Sequence, residues 1–411
     1  MLKYTFLWTW DHSMEWAPNE PGAVPDGCNN PYKKRPQAFL KDYKVLVDYA
    51  SEHNINAVII WGFLRKAHEG IKASQELCRY AKDKGVYVWP GVGTSHYGGF
   101  YYRSRHLFNV ETWLKMHPEL RATGKDDRPE PRLCPSKEEN KEWLRAGTRW
   151  LYENFEIGGL NLEHGDIMVC YCKDCTKARE HISSGFPNEP NYYKDMAMSI
   201  TPAIETAFEM DHDTLATYAT YTGFDLNMAR NPPSFVKIIP ERAICQWTVT
   251  DMMEDEWPPE LKPPTKRSTG FTHWGSQWWN NNTRHALILN HIQLICRYAN
   301  QAGLEGIGIQ GEVPPEIVPN ELNYLALGYF SLHPNADLEE YAEDILRDLF
   351  GGTVSASSLV RYLRMEDHST IKENLKEIKE AQYREENQTD STIKERWNWL
   401  LFENQRRYFF S

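Results

Sequence analysis

The sequence predicts a (β/α)8 barrel, in which eight parallel strands form a closed inner sheet surrounded by helices. Short apolar runs alternate with helical stretches eight times over roughly the first 310 residues, as this fold requires. The segments after the strands are long, whereas those before them are very short. An open doubly wound sheet is the alternative, but it usually carries a glycine-rich turn after its first strand, where this chain has WTWDHS.

Eight segments are predicted as strands of the barrel. Most are nearly continuous apolar runs such as NAVIIWGF and GVYVWPGV, which are typical of parallel strands covered on both faces. The predicted strands span residues 3–10, 55–63, 86–92, 157–163, 213–221, 242–248, 268–274 and 304–310.

Amphipathic helical stretches separate these strands. The clearest span residues 36–53, 71–84, 138–154, 192–210 and 284–301, and the second ends at Gly85, a favourable C-terminal stop. After residue 318 the pattern becomes helical throughout. We therefore expect a catalytic barrel over residues 1–318 and an α-helical C-terminal extension, packed on the barrel, over residues 319–411.

Composition argues against several classes of protein. The chain has 411 residues with 57 acidic and 46 basic side chains, and this net charge of −11 does not suit a nucleic-acid-binding surface. A mean hydropathy of −0.64 and the lack of any apolar run near ~18 residues argue against a membrane span. No signal peptide is recognisable, so we expect a cytoplasmic or periplasmic protein. The oligomeric state stays open.

Three closely spaced cysteines suggest a metal site. Cys170, Cys172 and Cys175 form C-x-C-x₂-C directly after the fourth predicted strand. A structural zinc ion binds four such ligands, and Cys134 is the preferred fourth, with His164 the weaker candidate. Free thiols or a disulfide are the alternatives. Four cysteine ligands would leave no open position for catalysis, so the site is predicted to be structural, and no organic cofactor is expected. The other cysteines show no such spacing: Cys28, Cys78, Cys245 and Cys296.

Two carboxylates are predicted to face the barrel interior. In IGGLNLEHGD, strand alternation puts Asn161 and Glu163 on the face opposite the leucines, with Glu163 at the carboxyl end of the strand. In GLEGIGIQGE the same parity places two inward glycines, which leave room, before Gln310 and Glu312. Glu316 is a competitor beyond two prolines.

A pair of carboxylates on separate strands is what hydrolysis of a glycosidic bond requires. One carboxyl donates a proton to the leaving oxygen, and the other attacks the anomeric carbon or activates water. We assign Glu163 as the acid and Glu312 as the nucleophile or base, with Asp11 as a reserve carboxylate.

Polar and aromatic residues recur at the predicted strand ends and suit a sugar. Aromatic rings stack on the C–H face of a sugar while polar groups bind its hydroxyls, and 13% of this chain is aromatic. The predicted substrate-binding residues are Asp11, His12, Trp61, His96, Tyr97, Asn161, Asp166, Trp247, His273, Trp274 and Gln310.

The stretch LCPS…NLEHGD…CYCKDC resembles bacterial (β/α)8 glycoside hydrolases that degrade polysaccharides. The cysteine pattern is similar to that of microbial β-galactosidases with a structural zinc, whose fourth cysteine lies upstream as Cys134 does. The helical segment from residue 320 is similar to the region after the barrel in α-glucuronidase-like and hexosaminidase-like proteins. This resemblance implies that Glu163 is the general acid.

Two other functions stay open. The β-galactosidase-type barrels have adjacent Asn and Glu at the fourth strand, whereas Leu162 separates them here, so a carbohydrate-binding barrel without activity is one alternative. A lyase or isomerase acting on a sugar or uronic acid is the other, with His12, His96 or His273 in an acid–base pair. The favoured function is a glycoside hydrolase that cleaves a polysaccharide-derived glycan from a chain end.

Overall fold

The fold is a closed barrel of eight parallel strands with helices around it. The computed structural model describes residues 1–10, 36–65, 70–102, 105–165, 168–181, 191–249, 261–275, 286–311, 315, 317–365, 368–385 and 390–410. Its barrel strands are β1 Tyr4–Trp10, β2 Ala57–Trp61, β3 Tyr87–Gly93, β6 Gly159–Glu163, β7 Leu215–Ala219, β8 Ile244–Thr248, β9 Ser268–Gly275 and β10 Gly306–Gln310. They close in the order β1-β10-β9-β8-β7-β6-β3-β2. The predicted (β/α)8 barrel is confirmed.

A small hairpin interrupts the long segment between β3 and helix α4 (Glu138–Asn154). Its strands, β4 Arg121–Thr123 and β5 Pro129–Leu133, pair antiparallel and form a separate two-stranded sheet. The sequence predicts only a long segment after the third strand and does not predict this hairpin. The hairpin positions Cys134, which directly follows β5.

The helices fall into a barrel set and a C-terminal set. The first set comprises α1 Pro36–Glu52, α2 Ile71–Asp83, α3 Val110–Met116, α4 Glu138–Asn154, α5 Lys173–His181, α6 Asn191–Met210, α7 Leu226–Arg230, α8 Leu289–Ala302 and α9 Val318–Leu332. The second comprises α10 Leu338–Tyr341, α11 Arg347–Leu349, α12 Ala356–Arg364, α13 His368–Glu385 and α14 Ser391–Phe410, with one π-helical turn between α10 and α11. None of the described helices is long and apolar enough to cross a membrane.

The main hydrophobic core lies between the sheet and the helices. Leu160 and Leu162 of β6, and Ile307 and Ile309 of β10, belong to this core and are fully buried. Because successive side chains of a strand point to opposite faces, the intervening residues of the same strands face the barrel interior. The alternation predicted for these two strands is confirmed.

Helix α9, which follows the last barrel strand, packs against α1 and the segment before β1. The Tyr49 hydroxyl of α1 donates a hydrogen bond to the Glu321 carbonyl of α9 at 2.9 Å, and the Leu2 amide donates to the Ser331 carbonyl at 2.8 Å. Gly328 lies so close to the His53 carbonyl that a Cβ atom there would overlap it. We propose that the boundary between the barrel and the C-terminal helices lies after α9 rather than at residue 318.

The C-terminal helices are attached to α9 by a partly buried ion pair. Arg396 of α14 contacts both carboxylate oxygens of Glu321, at 2.9 and 2.6 Å. Trp397 is fully buried and donates its indole N–H to the Phe350 carbonyl at 3.1 Å. The ion pair thus joins α14 to α9, and the Trp397 contact holds α14 to the segment after α11.

Candidate active site and metal centre

The barrel interior is aromatic on the side of β1, β2 and β3. Trp8 packs against Trp61 and Phe271 with ring centroids 6.2 and 5.5 Å apart, and Phe6 packs against Trp89 at 6.0 Å. All five rings are at least 96% buried. This cluster fills the interior below the carboxyl-terminal rim.

Inward-facing glycines accommodate these rings. A Cβ atom at Gly91 would overlap the Trp61 ring, and one at Gly308 would overlap the Phe6 ring. The sequence predicts that the inward glycines of the last strand leave room in the barrel. That interpretation is wrong, because Phe6 occupies the space beside Gly308.

The interior is polar on the side of β6, β7 and β8. Asn161 is completely buried, and its amide nitrogen donates to the Thr217 hydroxyl and to the Gln246 side-chain oxygen, both at 2.8 Å. Its side-chain oxygen accepts the Trp61 indole N–H at 3.2 Å. Asn161 and Trp61, both predicted to bind substrate, thus hydrogen-bond to each other one layer below the end of β6.

Glu163 stands at the carboxyl end of β6 and faces the barrel interior. Its exposed fraction is 2%, and the Tyr221 hydroxyl donates a hydrogen bond to its Oε2. The Glu163 carbonyl accepts the Thr94 amide at 2.7 Å, because residue 163 pairs in register with Gly93 of β3. Backbone and side chain are therefore both held at the barrel rim.

Tyr221 is a functional candidate that the sequence reading missed. It follows β7 with a left-handed backbone (φ 57°) and places its phenol on Glu163. Its inward parity, shared with Thr217 and residue 219, and its position at the end of a predicted strand were both visible in the sequence. The position at a strand end that singles out the other aromatic residues singles out Tyr221 as well.

Gln310 ends β10 on the inward face. Its exposed fraction is 2%, and neither its amide nitrogen nor its amide oxygen has a hydrogen-bond partner within the described part of the chain. Buried amides normally have partners, since an unmet hydrogen bond costs about 1–3 kcal/mol. The Gln310 amide is therefore a candidate to bind a polar ligand in the barrel.

His96 and Tyr97 lie on the rim beside Glu163. Tyr97 packs edge-on against Trp61, with centroids 5.9 Å apart, and it adopts a left-handed backbone with φ 53°. His96 is half-buried and packs against Tyr97 in a tilted arrangement, with ring centroids 5.2 Å apart. A Cβ atom on Gly165 would lie 3.3 Å from the His96 Cβ, so these residues adjoin the end of β6.

Trp247 faces away from the barrel interior. It packs against Phe224 and Phe235 in the outer core and donates its indole N–H to the Thr265 hydroxyl at 3.2 Å. Its neighbour Gln246 points inward instead. The predicted substrate contact at Trp247 is therefore wrong, because strand parity puts residue 247 on the helix side.

Several predicted site residues lie outside the described part of the chain. They are Asp11, His12, Asp166, Glu312 and the competitor Glu316. His273 and Trp274 lie within β9, but their side chains are not among those described. Their predicted roles stay predictions.

Four cysteines form a metal-binding geometry. Their sulfur atoms, from Cys134, Cys170, Cys172 and Cys175, all lie within 4.8 Å of one another. Cys134 Sγ is 3.7, 3.6 and 3.5 Å from the other three in that order. Zn–S bonds of about 2.3 Å in a tetrahedron put sulfur atoms about 3.8 Å apart, whereas a disulfide needs about 2.05 Å. The spacing of the four sulfur atoms fits a tetrahedral metal ion. The three distances from Cys134 Sγ are too long for a disulfide.

Backbone donors and a buried ion pair hold the cysteine loop. The Thr123 amide of β4 donates to Cys170 Sγ at 3.3 Å, which joins the hairpin to the segment after β6. Asp195 of α6 accepts the Cys170 amide and the Arg179 guanidinium, each at 2.7 Å, and its exposed fraction is 0%. Burial raises the pKa of Asp195 to about 6, while these two donors oppose the shift.

His164 is not part of the cysteine group. Its Nδ1 is 2.7 Å from the Ser199 hydroxyl, and its Nε2 is 3.1 Å from the Met168 carbonyl, to which it donates. Burial lowers the pKa of His164 to about 3, so the ring is neutral at ordinary pH. Cys134, rather than His164, is the fourth member of the group, and His164 instead connects Glu163 to the cysteine loop.

The chain is similar in structure to glycoside hydrolases. No family model and no curated protein matches its sequence. A variant of the O-GlcNAc hydrolase from Thermobaculum terrenum is similar over 99% of this chain and 82% of that one, with 9% identity and a TM-score of 0.52. The β-galactosidase from Marinomonas ef1 is similar over 87% of this chain and 61% of that one, with 10% identity and a TM-score of 0.47. At this identity the likeness shows the fold, and the expected resemblance to barrel glycoside hydrolases is confirmed at that level.

Proposed function

We propose that this protein is a glycoside hydrolase in which Glu163 is the general acid. The observation that carries the proposal is the position of Glu163: buried, inward and at the carboxyl end of a barrel strand, with a phenol donating to its Oε2. Catalytic groups of (β/α)8 enzymes come from this end of the strands. The glycoside hydrolases with similar barrels support the same reaction class.

Glycoside hydrolysis needs a proton donor and a second carboxylate. Protonated Glu163 would give its proton to the glycosidic oxygen as the bond to the anomeric carbon breaks. Glu312, two residues beyond Gln310, is proposed as the ionised partner that attacks that carbon or deprotonates water. The Gln310 amide would bind a sugar hydroxyl, and the long segments after the strands would enclose a chain end of the glycan.

The first experiment identifies the reaction and tests the acid. The wild type is assayed on panels of aryl glycosides and oligosaccharides, and the products are examined by mass spectrometry. We expect reducing sugars that have gained one water and a loss of about 10²–10⁴-fold in kcat for Glu163→Gln. Glu156→Gln is the matched control, because Glu156 is exposed and pairs with Lys82 at 2.6 Å. Unsaturated products, or equal activity of Glu163→Gln and wild type, would refute the proposal.

We also propose that the ion bound by the four cysteines is zinc. Four thiolates in a closed tetrahedron are a soft, structural donor set that leaves no site for substrate. Such an ion would pin the hairpin and the segment after β6 beside the catalytic strand. We expect about one zinc per chain in protein purified without added metal, and less than half an equivalent in Cys175→Ser. Cys78→Ser, which changes a buried thiol of α2, should retain the metal.

A further inference from the structure

A cavity opens beside the candidate active site. It has a volume of about 370 Å³ and lies between the segment after β3, helix α3 and the β4–β5 hairpin. This volume suits a small ligand such as one sugar ring. His96 and Tyr97 line it, and they adjoin Gly165, two residues after Glu163. The cavity is thus placed for the sugar residue next to the one that is cleaved.

The cavity carries cationic side chains without anionic partners. Lys115 and Arg121 line it, and neither has an ion-pair partner in the segments that the structure describes. Arg121 Nε is buried and lacks a hydrogen-bond partner in those segments. The exposed Glu111 is the acidic residue in the described lining, so the charge there is +1.

An anionic sugar would satisfy these groups. A buried guanidinium N–H without a partner costs free energy, and a carboxylate or sulfate that accepts it forms a charge-assisted hydrogen bond. The lining phenols, Tyr97 and Tyr102, offer aromatic surface to the sugar ring. A neutral sugar would leave the Arg121 charge unmatched.

We propose that this cavity binds an acidic sugar residue, carboxylated or sulfated, through Arg121 and Lys115. The inference rests on the proposed function for its substrate context, since it assigns the glycan a negative charge next to the cleaved bond. It makes Arg121 a specificity-determining residue and gives Lys115 a longer-range electrostatic role.

Direct binding measurements test the cavity without hydrolysis. D-Glucuronate, D-glucose 6-sulfate and D-glucose are titrated calorimetrically into the full-length protein at low salt. We expect at least one of the anionic sugars to bind about tenfold or more tightly than glucose, and the comparison of the two separates carboxylate from sulfate recognition. Arg121→Met should remove the preference, and Lys115→Met should lower it by roughly two- to fivefold in a salt-sensitive way.

The controls separate the cavity from general charge effects. Arg128→Met removes a cation from the same hairpin, but the Arg128 side chain is 84% exposed and does not line the cavity, so its preference should equal that of wild type. Lys115 lies on the exposed face of α3, so Lys115→Met keeps the test available even if Arg121→Met fails to fold. Equal binding of glucose and both anions, or equal losses in Arg121→Met and Arg128→Met, would overturn the inference.

The inference and the proposed function can fail separately. Glu163→Gln should keep the preference for anionic sugars while losing hydrolysis. A wild type that shows the preference but hydrolyses nothing would refute only the proposed function. Hydrolysis without any preference for an anionic sugar would refute only the cavity assignment.

Discussion

The two sides of the barrel interior are stabilised by different interactions, aromatic packing on one side and hydrogen bonds on the other. On the side of β1, β2 and β3, large rings pack against glycines of neighbouring strands, as with Trp61 against Gly91 and Phe6 against Gly308. On the side of β6, β7 and β8, Asn161, Thr217 and Gln246 form a buried hydrogen-bond network with Glu163 above it. One side holds its shape by packing and the other by directional bonds.

This difference explains where the candidate chemistry lies. A closely packed aromatic cluster leaves no space for a polar side chain, whereas a hydrogen-bonded layer fixes the orientation of the residue above it. Glu163 stands on the hydrogen-bonded side, and the cysteine group holds the segment that follows it. The Trp61–Asn161 hydrogen bond joins the two sides at 3.2 Å.

Removing the hydrogen bonds of Asn161 on the polar side of the barrel should have the largest effect on stability. Asn161→Leu leaves the Trp61 indole N–H and the Gln246 side-chain oxygen without their partner in a dry interior. We expect the free energy of unfolding to fall by about 4 kcal/mol, measured by urea denaturation. Asn154→Leu, which changes a half-buried amide at the end of α4, should cost about 1 kcal/mol or less. Equal losses in the two variants would contradict a special role for the network.

Adding a methyl group to the packed aromatic side of the barrel should lower the free energy of unfolding by a smaller amount. Gly308→Ala adds a methyl group where the Phe6 ring already lies, and such overpacking costs about 1–3 kcal/mol. The double variant Gly308→Ala/Phe6→Leu should recover part of that loss. The measurement is a double-mutant cycle in urea, and simple additivity of the two changes would show that residues 6 and 308 do not compete for space.

The pH dependence of stability should report on His164. Its folded pKa, about 3, lies below its ordinary value of 6.5, so the unfolded chain binds the extra proton. The contribution of His164 is complete above pH 6.5 and is lost as the pH falls toward 3, by at most about 1.4 kcal/mol per pH unit. Urea denaturation of wild type and His164→Gln between pH 4 and pH 7.5, taken as a difference, isolates this slope. Parallel curves would contradict the neutral, buried histidine.

The smallest expected effect comes from removing the Tyr221 hydroxyl group. Tyr221→Phe deletes the hydrogen bond to Glu163 and keeps the ring. We expect kcat to fall about tenfold and the free energy of unfolding to fall by roughly 1 kcal/mol. Tyr218→Phe, on the outer face of β7 just before Tyr221, should leave kcat unchanged. A Tyr221→Phe variant with wild-type kcat and an unchanged pH–rate profile would remove Tyr221 from the mechanism.

The period-two pattern of the strands explains what the sequence could predict. Apolar runs located all eight barrel strands, and alternation assigned Asn161 and Glu163 to the interior because the adjacent leucines face the helices. The same rule would have turned Trp247 outward, but that residue was chosen for its aromatic type and its position near a strand end. The rule of parity was therefore more informative than residue type.

Contacts between distant segments explain what the sequence could not predict. The space beside Gly308 is filled by Phe6, some 300 residues earlier, and nothing local to either strand indicates their contact. The β4–β5 hairpin has only three residues in its first strand and two prolines in its second, so it lacks a strand pattern. The Arg179–Asp195 pair that holds Cys170 is likewise visible only in three dimensions.

The central claim, that Glu163 protonates the leaving group, is tested most directly by varying that group. For the sugar that the wild type hydrolyses, kcat/KM of Glu163→Gln is compared between a phenyl glycoside and a 2,4-dinitrophenyl glycoside. A dinitrophenolate departs without a proton, so we predict a loss of about 10²–10⁴-fold for the phenyl substrate and a far smaller loss for the dinitrophenyl one. Equal losses for both substrates would contradict the role of Glu163 as the acid.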